Sequence, residues 1–191
     1  IERYRLPRSV LSNMIEARIF DLYDDPFEDR NALEGYAGET ASALIQLASL
    51  VLSPEEAAAS AEAAGHAGVA QAMAGMLLLM PLHRRRGQVY IPADMLSAAG
   101  LDRETFLEGT DRQRIGIAIE LFAAHALDHI EKARRARISG NVFAAYLPVA
   151  ISGPVITAAR KAGAGVFEGE VQLSQLRRQW LLAKASFLKR F

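Results

Sequence analysis

The chain has 191 residues, carries 22 basic and 22 acidic side chains, and contains no cysteine. The balanced charge excludes a global attraction to nucleic acid, and the lack of cysteine excludes disulfide frameworks and thiolate metal sites. Apolar residues make up 51% of the chain, with alanine and leucine prominent. This length and composition predict one all-α domain over residues 1–191 with a substantial core.

No signal-peptide pattern is visible, and no apolar run reaches the roughly 20 residues that span a bilayer. We therefore expect a cytoplasmic chain, or one peripheral to the inner membrane. The sequence begins IERYRLPRS, without an initiator methionine. We accordingly expect that further N-terminal helices precede residue 1 in the full protein.

Capping and breaking residues divide the first part of the chain into helices. Ser9 is predicted to cap the first helix, whose apolar residues recur at helical spacing. An acidic loop is predicted over Asp21–Asp29, because that segment contains Pro26. Asn31 is then predicted to cap a helix that runs to about Leu52.

The next helix start is marked by Ser53, Pro54 and two glutamates, which combine a cap residue, a first-position proline and first-turn acids. This pattern predicts a helix over Pro54–Met80. The later predicted elements are a short helix over Glu104–Glu108 capped by Asp102, a long helix from Asp111 to about Ile138, an apolar helix over Val142–Ala159 bent by Pro148 and Pro154, a loop over Gly163–Gly169, and a final helix over Ser174–Phe191.

The most informative stretch runs from Gly65 to Gly100, GHAGVAQAMAGMLLLMPLHRRRGQVYIPADMLSAAG. Its small residues allow close helix packing, and the apolar run Met76–Met80 predicts a buried helix. Pro81 removes a backbone donor, so the helix should end or kink there. Pro92 suits the first turn of another helix, which Gly100 should end.

The order of features here, a helix, basic residues, RGQVYIP, a short helix and AAGL, resembles the squalene/phytoene synthase family. Active members carry a D-x-x-E-D motif a fixed distance before R-G-R-x-Y-L-P, and its carboxylates hold the Mg²⁺ that binds the substrate diphosphate. By that spacing the acidic positions fall on Leu79, Leu82 and His83, so all three carboxylates are replaced. The basic half of the pattern keeps its spacing at Arg85, Arg86, Gly87, Tyr90 and Pro92.

The string PLHRRRGQVYIPADM, with His66 and Gln71 upstream, resembles a non-catalytic branch of this family. That branch includes a mitochondrial complex I assembly factor with a squalene/phytoene synthase-like domain, together with its alphaproteobacterial relatives. It carries a similar P-x-H in place of the acidic motif.

The resemblance implies an isoprenoid synthase fold, in which helices surround a central cavity. It also implies a diphosphate-binding remnant at Arg84, Arg85, Arg86 and Tyr90, although a solvated turn explains the arginines equally well. The cavity is expected to be lined by Tyr36, Ala41, Ser42, His66, Gln71, Met73, Met76, Leu77, Met80 and His83. A packed core accounts for the methionines just as well.

Asp21, Asp24 and Asp25 place three carboxylates close together in sequence, and carboxylates are the ligands that Mg²⁺ prefers. Family members carry an aspartate that matches Asp21 in a D-L pair. A solvated helix end and acidic loop is the interpretation we favour, because no second carboxylate cluster is expected to face these residues.

His125 and His129 lie one turn apart and share a face of the predicted long helix. Such a pair binds zinc only with a third ligand, and no H-E-x-x-H motif is present. A polar helix face beside Glu131 and Lys132 is therefore favoured over a zinc site.

The final predicted helix alternates apolar residues such as Trp180 and Phe187 with basic ones such as Arg177 and Lys184, and it contains no acid. This pattern is typical of a basic amphipathic helix. We favour docking on the core with the basic side in water over contact with anionic lipid or a membrane-bound partner.

Two functions follow from these observations. The first is a non-catalytic pseudoenzyme without a cofactor, acting as an assembly or binding factor for respiratory complex I through protein contacts. The alternative is an active Mg²⁺-dependent prenyltransferase, a transferase of alkyl groups, that joins two farnesyl or geranylgeranyl diphosphates head to head. A weaker third option is a protein that holds an isoprenoid or lipid without converting it.

Overall fold

The computed structural model describes residues 1–191 as eleven α-helices joined by short 3-10 and π segments, with no strand. The all-α prediction is therefore confirmed. The helices are α1 (Arg8–Ala17), α2 (Arg30–Ala37), α3 (Ala43–Leu52), α4 (Pro54–Ala57), α5 (Ala61–Leu78), α6 (Met80–Arg85), α7 (Ala93–Ala98), α8 (Arg103–Glu108), α9 (Arg112–Arg135), α10 (Val149–Ala162) and α11 (Gln175–Leu188).

The core is centred on α5, which packs against both α9 and α10. The small residues of α5 permit this, because fully buried alanines such as Ala63, Ala67 and Ala70 let neighbouring backbones approach closely. Ser42 lies so near Gly68 that its backbone occupies the space a side chain at Gly68 would need. Helix α5 is therefore enclosed by its neighbours.

Two of the predicted helix starts were wrong. Helix α1 begins at Arg8 after Pro7, so Ser9 lies inside its first turn. Helix α2 is capped by Asp29, whose carboxylate accepts from the Ala32 backbone N–H at 2.8 Å, whereas the expected cap, Asn31, is helical. Asp29 takes this role because its backbone is extended, as an N-cap requires.

Two caps predicted for later helices are confirmed, whereas Ser53 lies at the N-cap position of α4 without a capping hydrogen bond from its side chain. Asp102 forms a capping box with Thr105 at the start of α8. The side chain of Asp111 accepts from the backbone N–H of Arg114 in α9. Helix α11 has a cap that was not predicted, Ser174, whose side chain accepts from the backbone N–H of Arg177.

The predicted helix over Pro54–Met80 is divided at Ser60, where a 3-10 turn joins α4 to α5. The Ser60 carbonyl accepts a hydrogen bond from the hydroxyl of buried Tyr146 at 2.7 Å instead of continuing the helix. The break predicted at Pro81 is confirmed, since α5 ends at Leu78 and Pro81 lies in the first turn of α6.

The C-terminal third differs from the prediction in three places. Helix α9 ends at Arg135 rather than near Ile138, and α10 starts only after Pro148. The predicted loop over residues 163–169 is a 3-10 helix, Gly163–Glu168. The 26 residues Phe143–Glu168 are long and apolar enough to cross a membrane, judged by length and composition alone, so this apolar stretch is longer than the sequence indicated. In the fold, however, α10 packs on α5 and α9.

Candidate functional site

A cavity of about 310 Å³ opens between α1, α5, α6 and the π segment Gly38–Ser42 that joins α2 to α3. Its size is at the lower end of the range for ligand pockets, about 300–1,000 Å³. Five residues predicted to line the cavity do so, namely Tyr36, Ala41, Gln71, Met76 and His83, and Tyr90 also borders it. The lining includes no aspartate or glutamate.

Asp21 lies beside this cavity and is held by three side chains. Its Oδ1 accepts from the hydroxyls of Tyr36 at 2.8 Å and Tyr90 at 3.0 Å, and its Oδ2 accepts from Arg18 at 3.1 Å. The side chain of Gln88 donates to the Asp21 carbonyl at 2.9 Å. Asp21 therefore ties the 3-10 turn after α1 to α2 and to the segment after α6.

The hydroxyls of this cluster stay protonated. Burial, followed by the neighbouring Asp21 carboxylate, raises the pKa of Tyr36 well above its ordinary value. The same two causes raise the pKa of Tyr90 to about 12. Both tyrosines therefore remain donors to Asp21 across the physiological pH range.

Two buried polar atoms beside the cavity have no hydrogen-bond partner in the chain, Oε1 of Gln71 and Nδ1 of His83. The His83 ring lies 4.6 Å from the Tyr90 ring, centroid to centroid. Burial, and then the positive charge of Arg86, lowers the pKa of His83. A neutral imidazole with an unpaired nitrogen thus lies beside the cavity, at the residue where the family spacing predicts the last acidic position.

The other predicted lining residues do not border this cavity. Ser42 donates to the Gly65 carbonyl at 2.8 Å, and His66 pairs with His129. Met73, Leu77 and Met80 are fully buried in the hydrophobic core.

The arginines that follow Pro81 point to different surroundings. Arg84 donates to the carbonyls of Leu107 and Glu108 at 2.8 and 2.6 Å, and its guanidinium lies over the Phe167 ring. These contacts hold Arg84 against the end of α8. Arg85 and Arg86 are exposed, and the charge of Arg86 acts on His83 and Tyr90 beside the cavity.

The residues present here do not fit Mg²⁺, which takes several oxygen ligands in an octahedron. The Asp21 oxygens already accept from Tyr36, Tyr90 and Arg18. The Asp24 and Asp25 side chains are exposed, and the structure does not gather them with Asp21 into a set of converging ligands. The acidic loop is therefore solvated at these two positions.

A second polar cluster joins α9 to α2. His129 is buried rather than part of a polar face, so that prediction was wrong. The Oε1 atom of Glu34 lies 3.0 Å from Nε2 of His125 and 3.4 Å from Nε2 of His129. The i, i+4 spacing of the histidines was visible in the sequence, but nothing local indicated that Glu34 joins them.

A third feature is the outer face of α11. Ala185 is buried against the domain, but the stripe formed by Leu176, Trp180 and Phe187 is exposed, with exposed fractions of 79%, 59% and 89%. The prediction that this helix docks with its main apolar side on the core is wrong for this stripe.

The helices around the cavity define an isoprenoid synthase-like fold. A crystal structure of a dehydrosqualene synthase in complex with ligand superposes with a TM-score of 0.77, at 20% identity, over 96% of this chain and 66% of that chain. The squalene synthase HpnC from Alicyclobacillus acidocaldarius gives a TM-score of 0.63 at 17% identity, over 94% and 62%. The squalene/phytoene synthase family model matches residues 1–177, and the chain belongs to that family.

The curated relatives include complex I assembly factor 6. The rat protein is 30% identical over 149 residues, which cover 77% of this chain and 44% of the rat protein. The human protein is 29% identical over 134 residues, 70% of this chain and 40% of its own length. The chain thus spans less than half the length of these relatives.

Proposed function

We propose that this chain is a non-catalytic member of the squalene/phytoene synthase family that acts in the assembly of respiratory complex I through protein contacts. The similarity to complex I assembly factor 6 supports the assembly role. The observation that carries the non-catalytic part is the cavity, because no carboxylate lines it.

The physical argument concerns the charge of the substrate. Two prenyl diphosphates bring several negative charges, which Mg²⁺ ions must neutralise so that the leaving group departs. Leu79 and His83, which the family spacing assigns to the motif positions, line the cavity without a carboxylate, and Asp21 is paired with Arg18. Ionisation of a diphosphate is therefore not supported by the side chains around this cavity.

The first experiment is a turnover assay of the full-length protein with farnesyl and geranylgeranyl diphosphate and Mg²⁺. We expect no pyrophosphate release while an active squalene synthase, run in parallel, releases it. Release that disappears on chelation of the metal would establish the alternative, an active head-to-head prenyltransferase.

The second experiment tests the assembly role. Deletion of the gene in its own host should lower NADH:ubiquinone oxidoreductase activity and the amount of assembled complex I, while succinate dehydrogenase, the control, is unchanged. The wild-type gene should restore both quantities. Normal complex I in the deletion strain would contradict the assembly role.

A second candidate function, holding an isoprenoid or lipid in the cavity, is favoured by the unpartnered atoms of Gln71 and His83. Unpaired buried polar atoms are costly, so a ligand whose polar end approached them would be bound more tightly. Calorimetric titration with farnesol should detect binding that Gln71→Leu weakens. Equal affinity in wild type and variant, or no binding, would refute this function.

The exposed stripe of α11 suits a peripheral contact with the cytoplasmic side of the inner membrane. Arg177 and Lys184 are exposed on the same helix, which contains no acid, so an anionic lipid surface complements it. The chain should sediment with phosphatidylglycerol vesicles but not with phosphatidylcholine vesicles.

A double variant, Trp180→Ser with Phe187→Ser, should lose most of this binding. The matched control is Ile15→Ser on α1, which removes an equally exposed apolar residue from another surface. Equal sedimentation of the double variant and the control would exclude α11 as the contact.

A further inference from the structure

The cluster of Glu34, His125 and His129 has the composition of a metal site. The two histidines project from one face of α9, and the glutamate is supplied by α2. His129 is buried, His125 is largely buried, and Glu34 is half-buried at the edge of the cluster. Two imidazoles and one carboxylate with a remaining accessible side are the ligand set of many three-ligand zinc sites.

The separations between the ligand atoms suit a tetrahedral ion. Zinc bonds of about 2.0–2.1 Å at tetrahedral angles place neighbouring ligand atoms about 3.3 Å apart. The measured separations from Glu34 Oε1 are 3.0 Å to His125 Nε2 and 3.4 Å to His129 Nε2. All three ligand atoms lie within 4.8 Å of one another.

Hydrogen bonding within the chain does not account for these short separations. Both Nε2 atoms are buried and have no hydrogen-bond partner, although the carboxylate oxygen is near each of them. The Oε1 atom of Glu34 therefore lies at ion-pair distance from both Nε2 atoms, without hydrogen-bond geometry at either one. Buried polar atoms are almost always paired, so two unpaired nitrogens facing one carboxylate call for an explanation.

His66 supplies the outer contact that metal-bound histidines usually have. Its Nδ1 lies 3.1 Å from Nδ1 of His129, so one of these two nitrogens carries the shared proton. When His129 donates from Nδ1, its Nε2 keeps a free lone pair directed at the cluster.

We propose that Glu34, His125 and His129 bind one divalent transition-metal ion of the zinc class, with His66 orienting His129. This site goes beyond the proposed function and does not depend on it, because its ligands are distinct from the residues that line the cavity. Its accessible edge at Glu34 leaves room for a fourth ligand such as water.

The test uses the full chain, free of any histidine tag and stripped of metal with a chelator. Titration with Zn²⁺ against a chromophoric chelator should give one ion per chain, and Co²⁺ should produce the visible absorption of a tetrahedral site. Glu34→Gln and His125→Gln should each weaken binding at least about 10-fold, and His66→Gln about 10–100-fold.

Asp128→Asn is the matched control. Asp128 lies on the turn of α9 between His125 and His129, and its carboxylate pairs with Lys132 on the outside of the helix. The affinity of this variant for Zn²⁺ should equal that of the wild type. Circular dichroism establishes that each variant is folded, and Zn²⁺ should raise the melting temperature of the wild type and of Asp128→Asn but not of His125→Gln.

Absence of stoichiometric Zn²⁺ binding to the folded wild type would overturn the proposal and leave a hydrogen-bonded or ionic cluster. Equal weakening in Asp128→Asn and Glu34→Gln would also overturn it, since that result indicates nonspecific attraction to surface carboxylates. Failure of this site leaves the turnover assay of the proposed function unaffected, so the two outcomes are separable.

Discussion

Gly68→Ala is the substitution whose effect follows most directly from the structure. A Cβ atom at Gly68 would lie under 3.0 Å from the Cα, N and Oγ of Ser42. The obstacle is backbone, and it is fixed, because the Ser42 hydroxyl donates to the Gly65 carbonyl at 2.8 Å. Helix α5 would have to move away from the π segment to admit one methyl group.

The magnitude follows from two opposed effects. Alanine in a helix interior is favoured over glycine by about 0.5–1 kcal/mol. Overpacking a well-packed interface, including the backbone shifts that it forces, costs about 1–3 kcal/mol. Because the obstacle here is backbone, the upper part of that cost applies, and after the helix-propensity gain we expect Gly68→Ala to lower the free energy of unfolding by about 1–2.5 kcal/mol.

The same helix provides the control. A Cβ at Gly75 would meet no atom within 4 Å, so Gly75→Ala should raise the free energy of unfolding by about 0.5–1 kcal/mol. Urea unfolding measures both variants, and melting temperatures should move by about 2–4 °C per kcal/mol for a chain of this size. Equal stability of the two variants would refute the packing argument.

Three further predictions concern Arg84 at the end of α8 and the residues beside the cavity. Arg84→Ala should lower the free energy of unfolding by about 1–3 kcal/mol, because two carbonyls at the end of α8 lose their charged donor. The control Arg85→Ala removes an exposed arginine and should change the free energy of unfolding by less than about 0.5 kcal/mol. Urea unfolding measures both variants. His83 binds its proton more weakly in the folded state, because its pKa there is lowered. The free energy of unfolding should therefore fall as the pH drops below about 6.5, by up to about 1.4 kcal/mol per pH unit. The variant His83→Gln should flatten that slope between about pH 7.5 and pH 5. Asp21→Asn should lower the pKa of Tyr90 from about 12 toward its ordinary value. The ultraviolet absorbance of tyrosinate measures this pKa, by difference from a Tyr90→Phe variant. An unchanged titration of Tyr90 would show that the carboxylate does not act on this hydroxyl.

Local signals predicted the helices better than they predicted the exact starts. Asp102 and Asp111 were identified because cap residues and the following helical pattern agree. The choice between Asp29 and Asn31 depended on tertiary contact, since Phe27 is buried and its carbonyl accepts from the Ala93 backbone N–H at 2.8 Å. That contact fixes the chain just before α2.

The same distinction applies to the candidate sites. The family resemblance predicted Gln71 and His83 as cavity-lining residues, and both border the cavity, but it did not distinguish the cavity face of α5 from the core face that buries Met73 and Leu77. An apolar stripe looks alike in both settings. The role of Glu34 was not predictable, because the packing of α2 and α9 that brings it to the histidines leaves no local pattern.

The position of α10 in the chain has a consequence for biosynthesis. Phe143–Glu168 is apolar enough to be taken for a membrane segment, yet the helices that cover α10 on its inner side, α5 and α9, both precede it. Synthesis runs from the N-terminus, so the residues of α5 and α9 leave the ribosome before this segment does. The helices on which α10 packs are therefore already synthesised when this apolar segment emerges, and its packing on them competes with aggregation and misdirected membrane insertion.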